Sequence, residues 1–381
     1  MSRHTIPNQL SSEATIRYVG FNETQAAGLW KRWDYMQREP WPGQIYKIEF
    51  MDYITRDMCS KDDVYIDDDS AWFHCMEHWG IASQMQDAIM DRRFKRLRLT
   101  RTCAQWINDT IRLRYRSLEH SMNIHNCEVL RVIAPRPDNS ILGIDRNSQH
   151  HLASTSCNVL SGFSGETLAS ADNPAVYGNT VLYKTFNARQ VCNRSFLDRE
   201  GNLRLVECLE PNSWIDSNWC NTMSYFTTSL QAVQMYASYM KRRDSGCGEI
   251  VVVRLCIPDV AFHNLKGVQL AEAYFPSNDW KKLICHCRMT EPTQLCKFDY
   301  ATVVIGNVSS KSKPLLDKLD SWEDVTREDV FYTDSHGGEA DVQFAFSCNE
   351  QGRDFLRTSV TDFNILPYTD AEYREWMEEH K

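Results

Sequence analysis

The sequence predicts an α+β protein in which an all-α N-terminal domain is followed by a β-rich C-terminal domain. Apolar residues recur at helical spacing through residues 17–133. From residue 180 onward, short apolar runs ended by proline or glycine replace that pattern, and the run 249–257 is continuous enough for a buried strand. The stretch 134–179 is polar, with many Asn, Ser and Gly residues. This change of pattern predicts a boundary between two domains.

The pattern divides the chain into five segments. With 381 residues, the chain is long enough for two domains. A long stretch without a secondary-structure pattern is uncommon inside a compact domain, so it predicts a linker or a loop that wraps around the second domain. The predicted segments are a flexible N-terminus at 1–16, an α-helical domain at 17–133, the linker or wrapping loop at 134–179, the β-rich domain at 180–358, and a tail with a short helix at 359–381.

Four helical patterns are predicted in the first domain. Asn22, with Gln25 three residues later, is typical of a capping box and begins the first of them. An acidic loop precedes the third, where Asp69 or Ser70 is expected to cap the helix. The apolar patterns cover residues 29–36, 45–58, 72–89 and 103–122.

Five strands are predicted in the second domain. The last of them alternates strictly, so Val342 and Phe344 should lie on one face while Asp341 and Gln343 lie on the other. We expect Asp341 to be an exposed carboxylate at the end of that strand. The predicted strands cover residues 180–186, 225–228, 249–257, 302–305 and 341–347.

Composition and charge exclude some classes of function. The chain has 42 Lys and Arg against 51 Asp and Glu, a formal net charge of −9, which argues against general binding of nucleic acid or of anionic membranes. No stretch has the roughly 20 apolar residues of a membrane span, and the N-terminus lacks the apolar core of a signal peptide. The 14 Cys are scattered, so we expect reduced thiols in an intracellular, cytoplasmic protein.

A group of cysteines and one histidine could suggest a zinc site. Cys285, His286 and Cys287 are consecutive, and Cys296 follows nine residues later. Zinc ligands usually come as two pairs, each with two to four residues between the ligands, and this spacing does not fit. We therefore expect no metal site.

The stretch 225–239 joins a short strand to a helix and carries two tyrosines. Ser229 is expected to cap the helix with its side-chain oxygen. Tyr225 lies on the strand and Tyr236 on the helix, with ten residues between them. Such a junction can hold two rings on either side of a flat ligand. The alternative is that both tyrosines belong to an ordinary core.

Three motifs of the second domain resemble the ADP-ribosyltransferase fold, and most closely its diphtheria-toxin-like branch, which includes the poly(ADP-ribose) polymerases. Residues 182–185 (LYKT) resemble the first motif, which carries a His in the family. Tyr225 and Tyr236, with Ala232 between them, match the tyrosine pair of the second. Residues 342–346 (VQFAF) resemble the third, which carries the catalytic Glu.

Further stretches are similar to less characterised relatives of that fold. Residues 299–306 followed by 343–346 resemble a bacterial family of ADP-ribosyltransferase-like domains that ends in a comparable Gln-led strand. The whole chain is similar to fungal proteins with a helical N-terminal half. The transferase resemblance covers about residues 180–356 and does not extend to the helical half.

The resemblance implies a split β-sheet and NAD as a co-substrate. Tyr225 and Tyr236 would hold the nicotinamide ring. Lys184, at the position of the family's His, would bond the adenosine-side ribose. Gln343, at the position of the catalytic Glu, would orient the other ribose. The NAD site implied in this way consists of Lys184, Thr185, Tyr225, Thr227 and Tyr236, with Gln343 and Tyr225 as the catalytic residues.

Two functions remain open after the sequence alone. The first is an NAD-consuming enzyme, either a mono-ADP-ribosyltransferase with a protein acceptor or an NAD glycohydrolase. The second is a catalytically inactive module that keeps the fold and binds a nucleotide or a protein partner. Lys184 and Gln343 both depart from the family's motif residues, and fold alone does not establish activity.

Overall fold

The computed structural model describes most of the chain with side chains, and residues 123–133, 286, 297 and 313 as backbone only. The described residues are 6–38, 48–56, 63–133, 177–191, 203–210, 223–244, 248–286, 297–333 and 338–381, together with Leu168 and Phe196. The predicted linker at 134–179 lies almost wholly outside them.

The N-terminal half is helical, as the sequence predicts, and the C-terminal half combines helices with a β-sheet. The helices are α1 (Glu13–Val19), α2 (Glu23–Arg38), α3 (Phe50–Thr55), α4 (Asp69–His78), α5 (Ser83–Ile89), α6 (Lys95–Arg98), α7 (Cys103–Ile133), α8 (Ala188–Val191), α9 (Leu230–Asp244), α10 (Asp259–His263), α11 (Asn278–His286), α12 (Lys313–Leu316), α13 (Glu350–Ser359) and α14 (Asp370–Glu379). The strands are β1 (Asn179–Asn187), β2 (Met223–Thr227), β3 (Ile250–Pro258), β4 (Leu270–Ala273), β5 (Val303–Asn307), β6 (Val342–Ser347) and β7 (Asp362–Tyr368).

Helix boundaries in the N-terminal half follow local capping chemistry. The side chain of Asn22 accepts a hydrogen bond from the amide of Gln25 at 2.9 Å, which confirms that predicted start. The cap of α4 is Asp68, not Asp69 or Ser70, because its carboxylate accepts from two amides of the first turn. The predicted helix over 72–89 is divided at Gly80, whose φ of +67° ends α4 and favours glycine.

The predicted flexible N-terminus is wrong at its C-terminal end. Helix α1 begins at Glu13, and the Ser12 side chain accepts a hydrogen bond from the amide of Thr15. Ile16 is fully buried in the core of the helical half. Residues 1–5 lie outside the described residues.

Among the described residues, the sheet has seven strands in the order β4-β5-β6-β2-β1-β3-β7, with β4 and β5 parallel and every other pair antiparallel. Strand β1 pairs with β3 over nine residues, and β2 pairs with β6 over five. A single residue pair, Tyr183 with Thr227, joins β1 to β2. The sheet is therefore nearly divided between β1 and β2.

The two faces of the sheet are covered by different elements. On one face, Leu182, Phe226 and Phe346 form a core that includes Phe262 of α10 and Phe355 of α13. On the other face, α9 covers the β1–β3–β7 half, while α11 covers the β2–β6–β5–β4 half.

Helix α9 is shared between the two halves of the chain. Its residues Val233 and Ala237 pack on the sheet. Its residues Met235 and Tyr239 are buried in the core of the helical half, where Tyr239 stacks on Phe94 with ring centroids 4.8 Å apart. The two predicted domains are thus packed against opposite sides of one helix.

Two strands are not predicted from the sequence, and both lie at edges of the sheet. Strand β4 has only four residues. Strand β7 falls in the segment predicted as a tail, yet it pairs with β3 along its length. Pro367 interrupts its pattern, and an edge strand tolerates proline because one side needs no partner. The predicted helix in the tail corresponds to α14.

Candidate functional site

Three of the predicted site residues lie side by side on β2 and β6. Thr227 pairs in register with Gln343, and Tyr225 pairs with Ala345. Paired residues of antiparallel strands point to the same face, and alternate residues of one strand do as well. Tyr225, Thr227 and Gln343 therefore share one face, which is the face covered by α9 and α11.

Strand β1 contributes to the same face through Tyr183 and Thr185. Tyr183 is the residue that pairs with Thr227, so its side chain points to the α9 side. Thr185, two residues later, donates a hydrogen bond from its hydroxyl to the carbonyl of Val233 on α9 at 3.3 Å. Thr185 therefore lies on the face of the sheet that α9 covers and is bonded to that helix.

The first turn of α9 is attached to β2 by short-range hydrogen bonds. Ser229 accepts from the amide of Ala232 at 3.0 Å, which confirms the predicted cap. Its own amide donates to the hydroxyl of Thr227 at 3.1 Å, and that hydroxyl donates to the carbonyl of Val342 at 3.2 Å. The orientation of α9 relative to β2 and β6 is thus fixed close to the site.

The two tyrosines of the predicted slot lie on the same side of the sheet. Tyr225 points to the side that α9 covers and is half-buried at the edge of the core under α11. Tyr236 lies on α9 itself and keeps 36% of its surface exposed, whereas Tyr239 on the same helix is 1% exposed. Tyr236 is therefore accessible to a ligand in a way that its buried neighbour is not.

Lys184 does not join this group. It is the sequence neighbour of Thr185 on a strand, so its side chain points to the opposite face. There its ammonium donates to the carbonyl of Leu209 at 2.6 Å and to the hydroxyl of Ser224 at 2.9 Å. It also lies 5.1 Å from the ring of Phe186. Lys184 is thus part of the packing behind the sheet, and Tyr183, on the other face, is buried in the core under α9.

Gln343 supplies a neutral amide to the site. Its side chain is half-buried and lies between Thr227 on β2 and Gly306 on β5. It makes no hydrogen bond to another residue in the part of the chain that the structure describes. An amide can both donate to and accept from a bound hydroxyl, but it brings no charge.

Asp341 is buried, and the expectation of an exposed carboxylate is wrong. It is 7% exposed, and one of its carboxylate oxygens accepts from both the amide and the hydroxyl of Thr333 at 2.5 Å. Burial raises the pKa of Asp341, and these hydrogen bonds partly oppose that rise. Asp341 is buried because the chain folds back on itself here: the amide of Asp341 donates to the carbonyl of Phe331, which brings Thr333 over the carboxylate.

The face that α9 and α11 cover brings together two tyrosines and the side-chain amide of Gln343. The hydroxyls of Thr185 and Thr227 already donate to backbone carbonyls, so they can offer a ligand only acceptor positions. The nearest carboxylate on the strand, that of Asp341, is already occupied. Tyr183 shares a face with Thr185, as the alternation of β1 predicts, and it is buried in the core under α9.

Other features bear less on this site. Within the described residues, no group of three or more His, Cys, Asp or Glu residues is placed to hold a metal ion. Cys287 and Cys296 of the sequence pattern lie outside them. An open groove of about 380 Å³, lined in part by Val260 and Phe355, lies on the opposite side of the sheet and contains none of the predicted site residues.

Comparisons do not assign the chain to a family. None of the helices that the structure describes is both long and apolar enough to span a bilayer. Comparison of the chain with protein-family models, with curated proteins and with solved structures gives no match.

Proposed function

We propose that this protein binds NAD with its nicotinamide ring between Tyr225 and Tyr236, and that it cleaves the bond between nicotinamide and ribose. The enzyme would be a mono-ADP-ribosyltransferase with a protein acceptor or an NAD glycohydrolase. The observation that supports this most is that Tyr225, Thr227 and Gln343 share the face of the sheet on which α9 carries Tyr236. These are the positions that the resemblance to ADP-ribosyltransferases assigns to the nicotinamide and its ribose.

Each residue has a distinct task in this proposal. The tyrosine rings fix the plane of nicotinamide and hold it for departure, and positioning alone can lower a barrier substantially. The backbone of Thr185 would bond the nicotinamide amide. Thr227 would line the slot, and Gln343 would bond the 2′-hydroxyl of the ribose. Lys184 has no part in binding NAD, because its ammonium lies behind the sheet.

The chemical step is a displacement at C1′ of the ribose. The bond from C1′ to the nicotinamide nitrogen breaks, its electron pair leaves with nicotinamide, and an oxygen or nitrogen nucleophile forms the new bond to C1′ while losing a proton. The transition state resembles an oxocarbenium ion, as in glycoside hydrolysis. A neutral amide stabilises that charge less than a carboxylate does, so we expect slow turnover.

The second function is an inactive module that binds a nucleotide or a protein partner. Two observations favour it. Gln343 is uncharged, and the carboxylate of Asp341 is buried and already bonded by Thr333. In this case NAD or a related nucleotide would occupy the same slot without being cleaved.

One assay separates the two functions. Purified protein is incubated with NAD, and nicotinamide release is followed for the wild type and for Tyr225→Ala. Release that depends on Tyr225 supports the enzyme. Saturable binding of NAD without release supports the module. If the protein neither releases nicotinamide nor binds NAD, the enzyme and a module that binds NAD are both contradicted.

A further inference from the structure

Among the described residues, Thr227 occupies the single point at which the two halves of the sheet are joined. It ends β2, and it is the residue of β2 that pairs with β1, through Tyr183. On its other side it pairs with Gln343, and the register between β2 and β6 ends at that pair. The next helix along the chain is α9, which carries Tyr236. Thr227 therefore stands where both halves of the sheet meet the helix of the proposed slot.

The hydroxyl of Thr227 adds two hydrogen bonds to this junction. It accepts from the amide of Ser229 at 3.1 Å, which closes a tight turn between β2 and α9. It donates to the carbonyl of Val342 at 3.2 Å, one residue beyond the last register pair of β2 and β6. A hydroxyl can make both bonds because it has one proton and two lone pairs. One side-chain atom thus bonds both the start of α9 and the start of β6.

Ser229 passes this contact on to the first turn of α9. Its side chain accepts from the amide of Ala232 at 3.0 Å, and its carbonyl accepts from the amide of Val233 at 3.1 Å. Its own amide lies outside the helix and has no partner within it, so the hydroxyl of Thr227 supplies one. A displacement of Ser229 would therefore move the first turn of α9 relative to β6.

The same hydroxyl is poorly suited to binding a ligand directly. Its proton is used by the carbonyl of Val342, and one of its lone pairs is used by the amide of Ser229. A single acceptor position remains, on a side chain that is half-buried. The contribution of the hydroxyl therefore lies in what its two bonds hold together.

We infer that Thr227 is a positioning residue, whose hydroxyl fixes the first turn of α9 against the start of β6 and so sets the separation between Tyr236 on the helix and Gln343 on the strand. The part of this inference that concerns NAD rests on the function proposed above. The part that concerns α9 does not, because it depends only on the two hydrogen bonds of the hydroxyl.

The test compares two variants of Thr227 with a matched control. Thr227→Val removes the hydroxyl and keeps the branched shape of the side chain, whereas Thr227→Ser keeps the hydroxyl. The control is Thr361→Val. The hydroxyl of Thr361 also donates to a carbonyl of a neighbouring strand at 3.2 Å, that of Cys256 on β3, but Thr361 lines the groove on the opposite side of the sheet.

Two kinds of measurement are made on the full chain. The first is amide hydrogen exchange at the start of α9, over residues 229–233. The second is the affinity for NAD, together with KM and kcat for the release of nicotinamide. A change in exchange reports on the position of the helix, and the division of the kinetic effect between KM and kcat reports on the slot.

We expect Thr227→Val to speed exchange over residues 229–233 about tenfold, because two hydrogen bonds are lost and each is worth a few-fold. The bond from Thr185 to the carbonyl of Val233 remains, so the helix should loosen at its first turn without leaving the sheet. The KM for NAD should rise by about the same factor, with a smaller change in kcat. Thr227→Ser should restore both quantities, and Thr361→Val should change neither.

The outcomes distinguish this inference from the proposed function. Faster exchange in Thr227→Val, in a protein whose wild type does not bind NAD, supports the positioning role and overturns the NAD proposal alone. NAD binding by the wild type, with unchanged exchange and unchanged KM in folded Thr227→Val, overturns the positioning role alone. Weaker NAD binding with unchanged exchange also overturns it, because Thr227 would then contact the ligand directly.

If Thr227→Val does not fold, exchange at Ser229 in the wild type decides. An amide that is bonded by the hydroxyl of Thr227 should exchange at least about tenfold more slowly than an unprotected amide, and such protection supports the role. Exchange of Ser229 at the rate of an unprotected amide contradicts it.

Discussion

Lys184 and Tyr225 lie on opposite faces of the same sheet. The pairing of Tyr183 with Thr227 sets this relation, because Lys184 is one residue from Tyr183 whereas Tyr225 is two residues from Thr227. Within the first motif, Tyr183 and Thr185 are therefore the residues that share the face of Tyr225. The ammonium of Lys184 instead stabilises the core on the other side through Leu209.

Replacing Lys184 should change stability and not NAD binding. Lys184→Met removes two hydrogen bonds made by a charged group, which should lower the free energy of unfolding by about 1.5–3 kcal/mol. Denaturant unfolding measures this, and Lys31→Met, an exposed position on α2, is the control. A loss of NAD affinity in folded Lys184→Met without a loss of stability would place this lysine in the site.

Introducing a carboxylate at position 343 should speed the release of nicotinamide from NAD. If Gln343 faces the ribose of NAD, Gln343→Glu adds a negative charge where positive charge develops in the transition state. We expect kcat for nicotinamide release to rise on the order of 10²-fold, because removing one such electrostatic group usually lowers kcat by about that factor. Gln343→Ala is the control and should not gain activity. An unchanged or lower kcat in Gln343→Glu would contradict the proposal that the side chain at position 343 lies beside the ribose.

The strands with strong local patterns could be predicted from the sequence. The face of the sheet to which each of their side chains points could be predicted as well. Alternation on β6 correctly separates Gln343 from Phe344, and the cap at Ser229 follows from its residue type. The burial of Asp341 could not be predicted, because it depends on the chain folding back at the Asp341–Phe331 hydrogen bond, which brings Thr333 over the carboxylate. The packing of α9 into two cores could not be predicted either, because the sequence shows that Met235 and Tyr239 are apolar but not which core they join.

The two halves of the chain should unfold together, because both pack on α9. Phe94, in the helical half, is fully buried and stacks on Tyr239 of α9 and on Trp376 of α14. Phe94→Ala should lower the free energy of unfolding by about 3–5 kcal/mol. Hydrogen exchange should show the same loss of protection in α7 and in β3. Phe73→Ala, at a 36% exposed position, is the control.

A loss of protection confined to the helical half in Phe94→Ala would contradict this coupling. The sheet would then be stable without the support of the helices on the far side of α9. The comparison is informative only while the variant remains folded, which the far-ultraviolet circular dichroism of the same samples establishes.

Asp244 should make stability depend on pH. It is 1% exposed at the end of α9, and burial raises its pKa to about 6, although hydrogen bonds from Ser117 and from the amide of Gly248 oppose the rise. The pKa of an unfolded aspartate is about 3.9. Because the folded pKa is the higher one, the stabilising contribution of the protonated form is present below about pH 4 and is lost as the pH rises through about 6.

The variant Asp244→Asn isolates this effect, since every other titrating group is shared with the wild type. The free energy of unfolding of the variant, minus that of the wild type, should rise between about pH 4 and pH 7 by up to about 3 kcal/mol. Urea unfolding at a series of pH values measures the difference. A difference that is constant or falls over this range would contradict the raised pKa.

The central claim, that Tyr225 and Tyr236 flank one binding slot for nicotinamide, is tested most directly by calorimetric titration of NAD into the wild type, Tyr225→Ala and Tyr236→Ala. Tyr35→Ala, which truncates a 59% exposed tyrosine on α2, serves as the matched control. Stacking of a heteroaromatic ring on one aromatic side chain is worth about 1–3 kcal/mol, so each slot variant should bind NAD about 5- to 150-fold more weakly while Tyr35→Ala binds as the wild type does. A wild type that does not bind NAD, or slot variants that bind it equally well, would contradict the claim.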